Sequence, residues 1–244
     1  MKRCCCIVFV LLLLVGCSRT EKSIHESKPG ESGIEGVPYP VPGASATSPD
    51  GTKMVSVGNV VSVGNGGIVQ IVDFESWEVL HTFEGHTDQV RSVRFSPDGE
   101  KIITASDDKT IRIVSTDSGK ELRLFTHTGG IIFAVFSPDE TQIATGSKDG
   151  TTRLWDANLE KELQTFEGHT GEVLSITFSP DGKKIATSSS DGTARLWDIE
   201  SGKELQKLEG LRGEHVSQFL PDGTGVIVVG DQAFVWDLEE ESHF

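Results

Sequence analysis

Short runs of alternating apolar and polar residues, separated by Gly, Pro and Asp turns, fill the chain from about residue 45 onward. Leu174, Ile176 and Phe178 alternate with Ser175 and Thr177, which is the period of two expected for a strand with one buried face. A Ser-Pro-Asp-Gly turn follows, with Pro and Gly at the positions that a type I turn prefers. Two further strands joined by an Asp-Gly turn and a more polar last strand complete the unit. The pattern predicts an all-β chain of four-stranded antiparallel units.

The unit is repeated five times. Its turn proline recurs at spacings of 48, 41, 42 and 41 residues, as Pro49, Pro97, Pro138, Pro180 and Pro221. In phase with it run a His-Thr loop (84–87, 125–128 and 167–170) and an Asp six residues before the end of the third strand (Asp108, Asp149 and Asp191). Four antiparallel strands cannot bury both faces alone, whereas sheets stacked around an axis can. The period therefore predicts radially stacked sheets.

The first seventeen residues form a separate segment. Lys2 and Arg3 precede an apolar run of twelve residues, 4–15, which is shorter than the roughly 20 residues needed to span a bilayer and is typical of a signal peptide. Its tail Leu-Val-Gly-Cys resembles the lipobox of bacterial lipoproteins, which implies cleavage before Cys17 and acylation of that residue. An uncleaved anchor and a plain signal peptide with an incidental Cys are the alternatives.

Three segments are therefore expected. Residues 1–16 are predicted to be a lipoprotein signal peptide, 17–36 the lipidated Cys with a polar, flexible tether, and 37–240 the repeat domain. This organisation places the protein in the bacterial cell envelope, anchored by lipid to a membrane and facing the periplasm or the outer surface.

Charge and cysteine content exclude several function classes. The 37 acidic side chains outnumber the 22 Lys and Arg, and the net charge of −15 argues against nucleic acid as a partner. All four cysteines lie at or before Cys17, so the repeat domain has no disulfide, no Cys-ligated metal and no thiol nucleophile. No metal or cofactor is expected.

The ordered combination of Gly-His, Ser-Pro-Asp-Gly, Asp and Trp-Asp resembles the WD40 repeats of β-propellers over roughly residues 43–238. The resemblance implies a hydrogen-bonded tetrad of loop His, strand Ser or Thr, turn Asp and Trp inside each blade. It assigns these structural residues as His169, Ser189, Asp191 and Trp197 in the fourth unit, His127, Ser147, Asp149 and Trp155 in the third, and His86, Ser106 and Asp108 in the second.

The units depart from the pattern at the two ends and in the second unit. Val114 and Val72 occupy the Trp position of the second and first units, and Gly66 replaces the first turn Asp. In the fifth unit Trp236 is kept, but Leu211 occupies the loop-His position. We expect a ring of about five blades closed by an N-terminal strand at 34–41, or else a partly open propeller that another chain completes.

The recurring His, Ser and Asp resemble a hydrolase triad only superficially, because a catalytic constellation is built once and this trio occurs in three blades. The resemblance favours a non-catalytic scaffold that binds a protein or peptide through the loop face. The candidate partner-binding residues are Gln89, Arg91, Asp107, Ile132, Lys148, Glu172, Leu174 and Ser190. An enzyme or small-ligand-binding lipoprotein that uses the central channel, and a fragment of a larger propeller, are the alternatives. An open propeller would also allow self-association.

Overall fold

The computed structural model describes residues 45–59, 67–213, 215–230 and 233–238. The expected signal peptide, the lipidation site Cys17, the tether and the closing strand at 34–41 lie outside the described residues, as does Gly66. In the described part of the chain, strands form five antiparallel sheets in which sequence neighbours pair.

Each sheet is a meander whose first strand lies innermost, and the sheets are called blades 1 to 5 below. Blade 1 comprises β1 (Ser45–Thr47), β2 (Lys53–Asn59), β3 (Gly67–Asp73) and β4 (Val79–Phe83). Blade 2 comprises β5 (Val90–Phe95), β6 (Lys101–Ser106), β7 (Thr110–Ser115) and β8 (Glu121–Thr126). Blade 3 comprises β9 (Ile131–Phe136), β10 (Gln142–Ser147), β11 (Thr152–Asp156) and β12 (Lys161–Phe166). Blade 4 comprises β13 (Val173–Phe178), β14 (Lys184–Ser189), β15 (Ala194–Asp198) and β16 (Glu204–Leu208). Blade 5 comprises β17 (Val216–Phe219), β18 (Gly225–Val229) and β19 (Ala233–Asp237).

Apolar layers between neighbouring blades hold the structure together. Blades 3 and 4, for example, bury Leu154 and Phe166 against Ile176 and Ile185. Similar layers join blades 1 and 2, 2 and 3, and 4 and 5. The innermost strands contact one another in the order β1, β5, β9, β13, β17. The expected all-β propeller of about five blades is confirmed.

Four layers join the five blades in the described part of the chain, and the contacts there do not close blade 5 onto blade 1. Three strands of blade 5 are described, and the strand expected to complete it lies at 34–41. The described propeller is therefore open, and closure by the N-terminal strand stays a prediction.

The two ends of the propeller carry different turns. We call the end with the loops before each innermost strand and the turns between second and third strands the His-loop end. The opposite end, with the Ser-Pro-Asp turns, is the Ser-Pro end. There Ser179 Oγ donates to Asp181 Oδ1 (2.6 Å) and accepts the N–H of Lys184 (2.9 Å), which closes the turn. Hydrogen bonds from Ser179 and the Lys183 N–H lower the pKa of Asp181.

Blade 4 contains a complete hydrogen-bonded clasp. His169 Nδ1 lies 3.0 Å from Asp191 Oδ2, and Nε2 lies 2.8 Å from Thr187 Oγ1. The same Thr187 oxygen accepts the indole N–H of Trp197 at 2.9 Å. Since a carboxylate only accepts, Nδ1 carries the proton, and the Thr187 hydroxyl donates to Nε2. The clasp thus satisfies every polar atom of a buried imidazole and a buried indole.

The hydroxyl in this clasp differs from the expected one, which was Ser189. Ser189 Oγ instead accepts the backbone N–H of Asp191 (3.1 Å). Both hydroxyls lie on the same face of β14, but Trp197 pairs with Ile185, and this register puts Thr187 within reach of the indole. The other two expected Ser residues act like Ser189, in the pairs Ser106 with Asp108 (3.1 Å) and Ser147 with Asp149 (3.3 Å).

Blade 2 has the same clasp without the indole. His86 Nδ1 lies 2.9 Å from Asp108 Oδ2, and Nε2 lies 2.7 Å from Thr104 Oγ1. Val114 pairs with Ile102, as Trp197 does with its partner in blade 4, so it holds the Trp position. In blade 1, Val72 holds the Trp position, since it pairs with Met54.

Blade 3 keeps the indole bond but not the His–Asp bond that was expected. Trp155 donates to Thr145 Oγ1 at 3.0 Å. His127 Nδ1, however, accepts the N–H of Gly129 (3.2 Å), and Nε2 has no hydrogen-bond partner among the described residues. The Asp149 carboxylate bonds to neighbouring threonines instead.

A shorter loop explains the difference. His86 and His169 lie three residues after the Phe that ends the preceding strand, whereas His127 lies two residues after Phe125. The residue lost is the Gly before the His. A Cβ at Gly168 would lie 2.5 Å from Arg195 Nη1, so a side chain there would displace the end of that Arg side chain. Without this Gly, the shorter loop directs the His127 ring differently.

Blade 5 has lost the clasp. Leu211 donates its N–H to the Gly192 carbonyl (3.0 Å), just as His127 donates to Lys109 (2.8 Å), which places Leu211 in the His position. Val228 occupies the Thr position by register. Apolar residues therefore replace both the His and the Thr of the clasp.

Replacing the loop His with Leu should have different consequences in blades 3 and 4. His169→Leu leaves Asp191 and Thr187 short of partners, and we expect it to lower the free energy of unfolding by about 1–3 kcal/mol. His127→Leu removes a buried nitrogen that has no partner among the residues described, and it should change stability by less than about 1 kcal/mol. Urea unfolding of the full chain and both variants measures this. Equal losses in the two variants would contradict the difference between the clasps.

Acidification should destabilise the fold already at pH values above those at which carboxylates titrate. Burial lowers the pKa of His127 to about 4, and burial also lowers the pKa of His86 and His169 despite their Asp partners. Because an unfolded imidazole titrates near pH 6.5, the unfolded chain binds more protons, and stability decreases as the pH falls from about 6.5 towards 4. Melting temperatures measured at pH values of about 7.5, 6 and 5 test this. His127→Leu should flatten the dependence, and an unchanged slope would refute this origin.

Candidate binding face

The innermost strands of blades 2, 3 and 4 each contain a β-bulge at the His-loop end. In β5, Val90 pairs with Ser106 and Ser92 with Ala105, so Arg91 is the extra residue. Ile132 and Leu174 are the extra residues at the corresponding points of β9 and β13. A bulge bends its strand and changes the direction of the local side chains. The three expected apolar and basic binding residues thus share one backbone feature in three neighbouring blades.

The bulge also corrects the expected burial in β13. Strict alternation would place Leu174 in the core with Ile176 and Phe178. In the structure Val173 is buried and Leu174 is half-buried. The extra residue breaks the period of two after the first position of the strand, which leaves Leu174 available at the His-loop end.

Asp107 connects blades 2 and 3 on this face. Its Oδ2 accepts the Arg91 Nε–H at 2.8 Å, and its Oδ1 forms an ion pair with Lys148 Nζ of blade 3 at 2.7 Å. Burial raises the pKa of Asp107, but the hydrogen bonds and charges of Arg91 and Lys148 outweigh burial and keep the pKa below its usual range. The Asp107 N–H also donates to the Gln89 carbonyl (2.9 Å), which fixes the turn against the loop. Arg91, Asp107 and Lys148 therefore form a charged and partly ordered bridge between blades 2 and 3.

In blade 4, the loop before β13 and the turn after β14 are held together in a similar way. Ser190 Oγ accepts the Glu172 N–H at 2.8 Å, and the Glu172 carbonyl accepts the Ser190 N–H at 2.9 Å. The Glu172 side chain is exposed. The hydrogen bond to Asp107 is the main cause of the raised pKa of Arg91, and the charges of Asp107 and Glu172 add to it. The structure thus brings all eight candidate residues to the His-loop end, in loops, turns and bulges of blades 2 to 4.

This face combines apolar and charged side chains. Half-buried Ile132 and Leu174 lie beside exposed charges from Arg91, Lys148 and Glu172. Among the described residues, no group of three or more His, Cys, Asp or Glu side chains is arranged to hold a metal ion. A search of the same residues for a helix long and apolar enough to span a membrane finds none.

Sequence patterns missed the bulges, which are visible in the burial of the strands. In β5 the buried positions are Val90, Ser92 and Val93, so the period of two slips by one residue. The same slip occurs at the corresponding point of β13. A slip repeated at the same point of several blades is the pattern that a recurring bulge produces.

Comparison with known proteins agrees with this architecture. The family model described as the first β-propeller of IFT122 matches residues 46–242. The chain is 40% identical over 67 residues to WD repeat-containing protein SL1-17 of Schistosoma mansoni, which covers 27% of this chain and 22% of that protein. It is 42% identical over 53 residues to the human serine-threonine kinase receptor-associated protein, with 22% of this chain and 15% of that protein covered.

A further similarity, 45% over 51 residues, is to vegetative incompatibility protein HET-E-1 of Podospora anserina, over 21% of this chain and 4% of that protein. The matched region thus spans less than a quarter of each of these relatives. The family match, in contrast, extends over nearly all the described strands. The chain belongs to the WD40-repeat β-propeller proteins, in the family described by the first β-propeller of IFT122.

Proposed function

We propose that this protein is a non-catalytic scaffold that binds a protein or peptide at the His-loop end and is tethered to a bacterial envelope membrane through lipidated Cys17. WD-repeat propellers are typically protein-interaction scaffolds, which supports the first part. The observation that carries the proposal is the recurrence of a bulge in β5, β9 and β13, because it presents Arg91, Ile132 and Leu174 on one surface.

The side chains of the face and the net charge of the chain together indicate the class of partner. Apolar Ile132 and Leu174 provide contact area, and the bridge of Arg91, Asp107 and Lys148 provides hydrogen-bonding groups beside them. A net charge of −15 accelerates encounter with basic partners over long range. A peptide that carries an apolar residue next to basic ones fits both properties. The proposed partner is therefore a basic, partly apolar peptide segment.

Removing the bulge side chains should abolish partner capture. We expect the triple variant Arg91→Ala, Ile132→Ala, Leu174→Ala to lower the amount of captured partner by about tenfold or more, because interface energy concentrates in a few central residues. The measurement is affinity capture with the full chain from native membranes, followed by quantitative mass spectrometry.

The matched control alters three exposed side chains at the Ser-Pro end, Glu100→Ala, Lys183→Ala and Lys203→Ala. Its captured partners should equal those of the wild type, and both triple variants should retain the wild-type circular dichroism spectrum. If the bulge variant kept every partner that the wild type captures, the His-loop end would not be the binding face.

The membrane tether has its own test. Cys17 follows the Leu-Val-Gly sequence typical of a lipidation site, whereas Cys6 lies inside the apolar run. Cells fed a clickable fatty acid should label the wild type and Cys6→Ser but not Cys17→Ser, and intact mass should show loss of residues 1–16 in the first two only. Labelling of Cys17→Ser at the wild-type level would exclude the proposed anchor.

A further inference from the structure

A cavity of about 340 Å³ lies at the His-loop end of the junction between blades 4 and 5. Its lining includes Leu211, Arg212, His215, Val228 and Phe234. None of these residues belongs to the face proposed above. The volume lies at the small end of the range typical of ligand pockets.

The cavity occupies the place where a complete blade has its clasp. Leu211 and Val228 hold the positions of the His and Thr in blade 4, as shown above. Phe234 pairs with Val228, whereas Arg195 pairs with Thr187 at the same point of blade 4. Three polar or charged side chains have thus been replaced by apolar ones, which gives the cavity an apolar wall.

His215 is a buried polar group in this wall. The residue is 2% exposed, and neither of its ring nitrogens has a hydrogen-bond partner among the described residues. His86 and His169, in contrast, use both nitrogens. The His215 carbonyl accepts the Ser188 hydroxyl (2.8 Å), which fixes the backbone of the residue against blade 4. Because buried polar atoms are normally paired, an imidazole with no partner in the described part of the chain points to a ligand that bonds it.

Arg212 adds a positive charge to the lining. Its side chain is exposed and forms no ion pair with another described residue. The described lining residues contain no carboxylate that could neutralise it. A cation, an imidazole able to donate an N–H, and an apolar wall together match a carboxylate that carries an apolar group.

We propose that this cavity binds a small apolar carboxylate. The carboxylate accepts a hydrogen bond from the His215 ring and pairs with Arg212, and the apolar part contacts Leu211, Val228 and Phe234. The chemistry is shared by a free branched-chain acid and by the C-terminal residue of a peptide. The inference goes beyond the proposed function, since it concerns a different blade and does not require the bulge face.

Titration calorimetry of the full chain with 4-methylpentanoate tests the site, with 4-methylpentanamide as the uncharged control. We expect the acid to bind with a dissociation constant of about 0.1–1 mM, as suits so small a ligand, and the amide to bind about tenfold more weakly or not at all. His215→Leu and Arg212→Gln should each weaken acid binding by about tenfold. His215→Leu should leave the melting temperature unchanged or higher, because it removes buried nitrogens for which the described structure provides no partner.

Equal binding of acid and amide, no binding of the acid up to about 10 mM, or undiminished binding by Arg212→Gln would each overturn the proposal. Because Arg212 is exposed, Arg212→Gln keeps the test valid even if His215→Leu fails to fold.

The source of the carboxylate is distinguished by a pentapeptide ending in Leu with a free carboxylate, compared with its C-terminal amide. Tighter binding of the free-carboxylate peptide than of 4-methylpentanoate indicates a peptide terminus, and the reverse indicates a free acid. The Arg91, Ile132 and Leu174 triple variant should bind 4-methylpentanoate normally, so this site and the proposed face fail independently.

Discussion

Every central blade of this protein must bury both faces of its sheet, and the rest of the structure follows from that requirement. The second strands β6, β10 and β14 are buried at five of six positions, on both sides. Any buried polar side chain in them needs a hydrogen-bond partner. Thr104, Thr145 and Thr187 are fully buried, and each hydroxyl is paired with a His, a Trp or both. The clasp is thus the way in which a doubly buried sheet accommodates its polar groups.

The same requirement connects the blades to the binding face. Ser92 Oγ of blade 2 accepts the Ala134 N–H of blade 3 (3.3 Å), and Ser175 Oγ of blade 4 accepts the Ser217 N–H of blade 5 (2.8 Å). Ser92 directly follows the bulge residue Arg91, just as Ser175 follows its own bulge residue. Contacts between innermost strands therefore fix the places at which the bulge residues emerge. The spacing of the candidate face is set by packing between blades.

Much of the architecture could be predicted from the chain because turn residues and strand periodicity are local signals. The five Ser-Pro-Asp-type turns placed the sheets correctly, and the substituted Trp positions at Val72 and Val114 agree with the observed pairing. The clasp hydroxyl was misassigned because Thr187 and Ser189 share a face, and only the register with β15 distinguishes them. The His127 exception had a visible cause, a loop shorter by one residue, but its effect on the ring depends on backbone geometry that spacing does not specify. The bulges shift a register and therefore disturb periodicity without adding a motif.

Blade 5 shows that the clasp is not needed to form a sheet. Its three described strands pair in the usual register with Leu211 and Val228 in the polar positions, and Trp236 and Phe219 are buried against blade 4. Apolar packing is therefore sufficient for pairing, and the clasp acts locally by fixing the loop that carries the His. This separates two roles within one repeat. Blades 2 and 4 combine a fixed loop with a bulge, blade 3 keeps the bulge with a differently anchored loop, and blade 5 gives up the clasp and has a cavity in its place. Because the sheet forms with or without the clasp, the loop of each blade can differ while the propeller is kept.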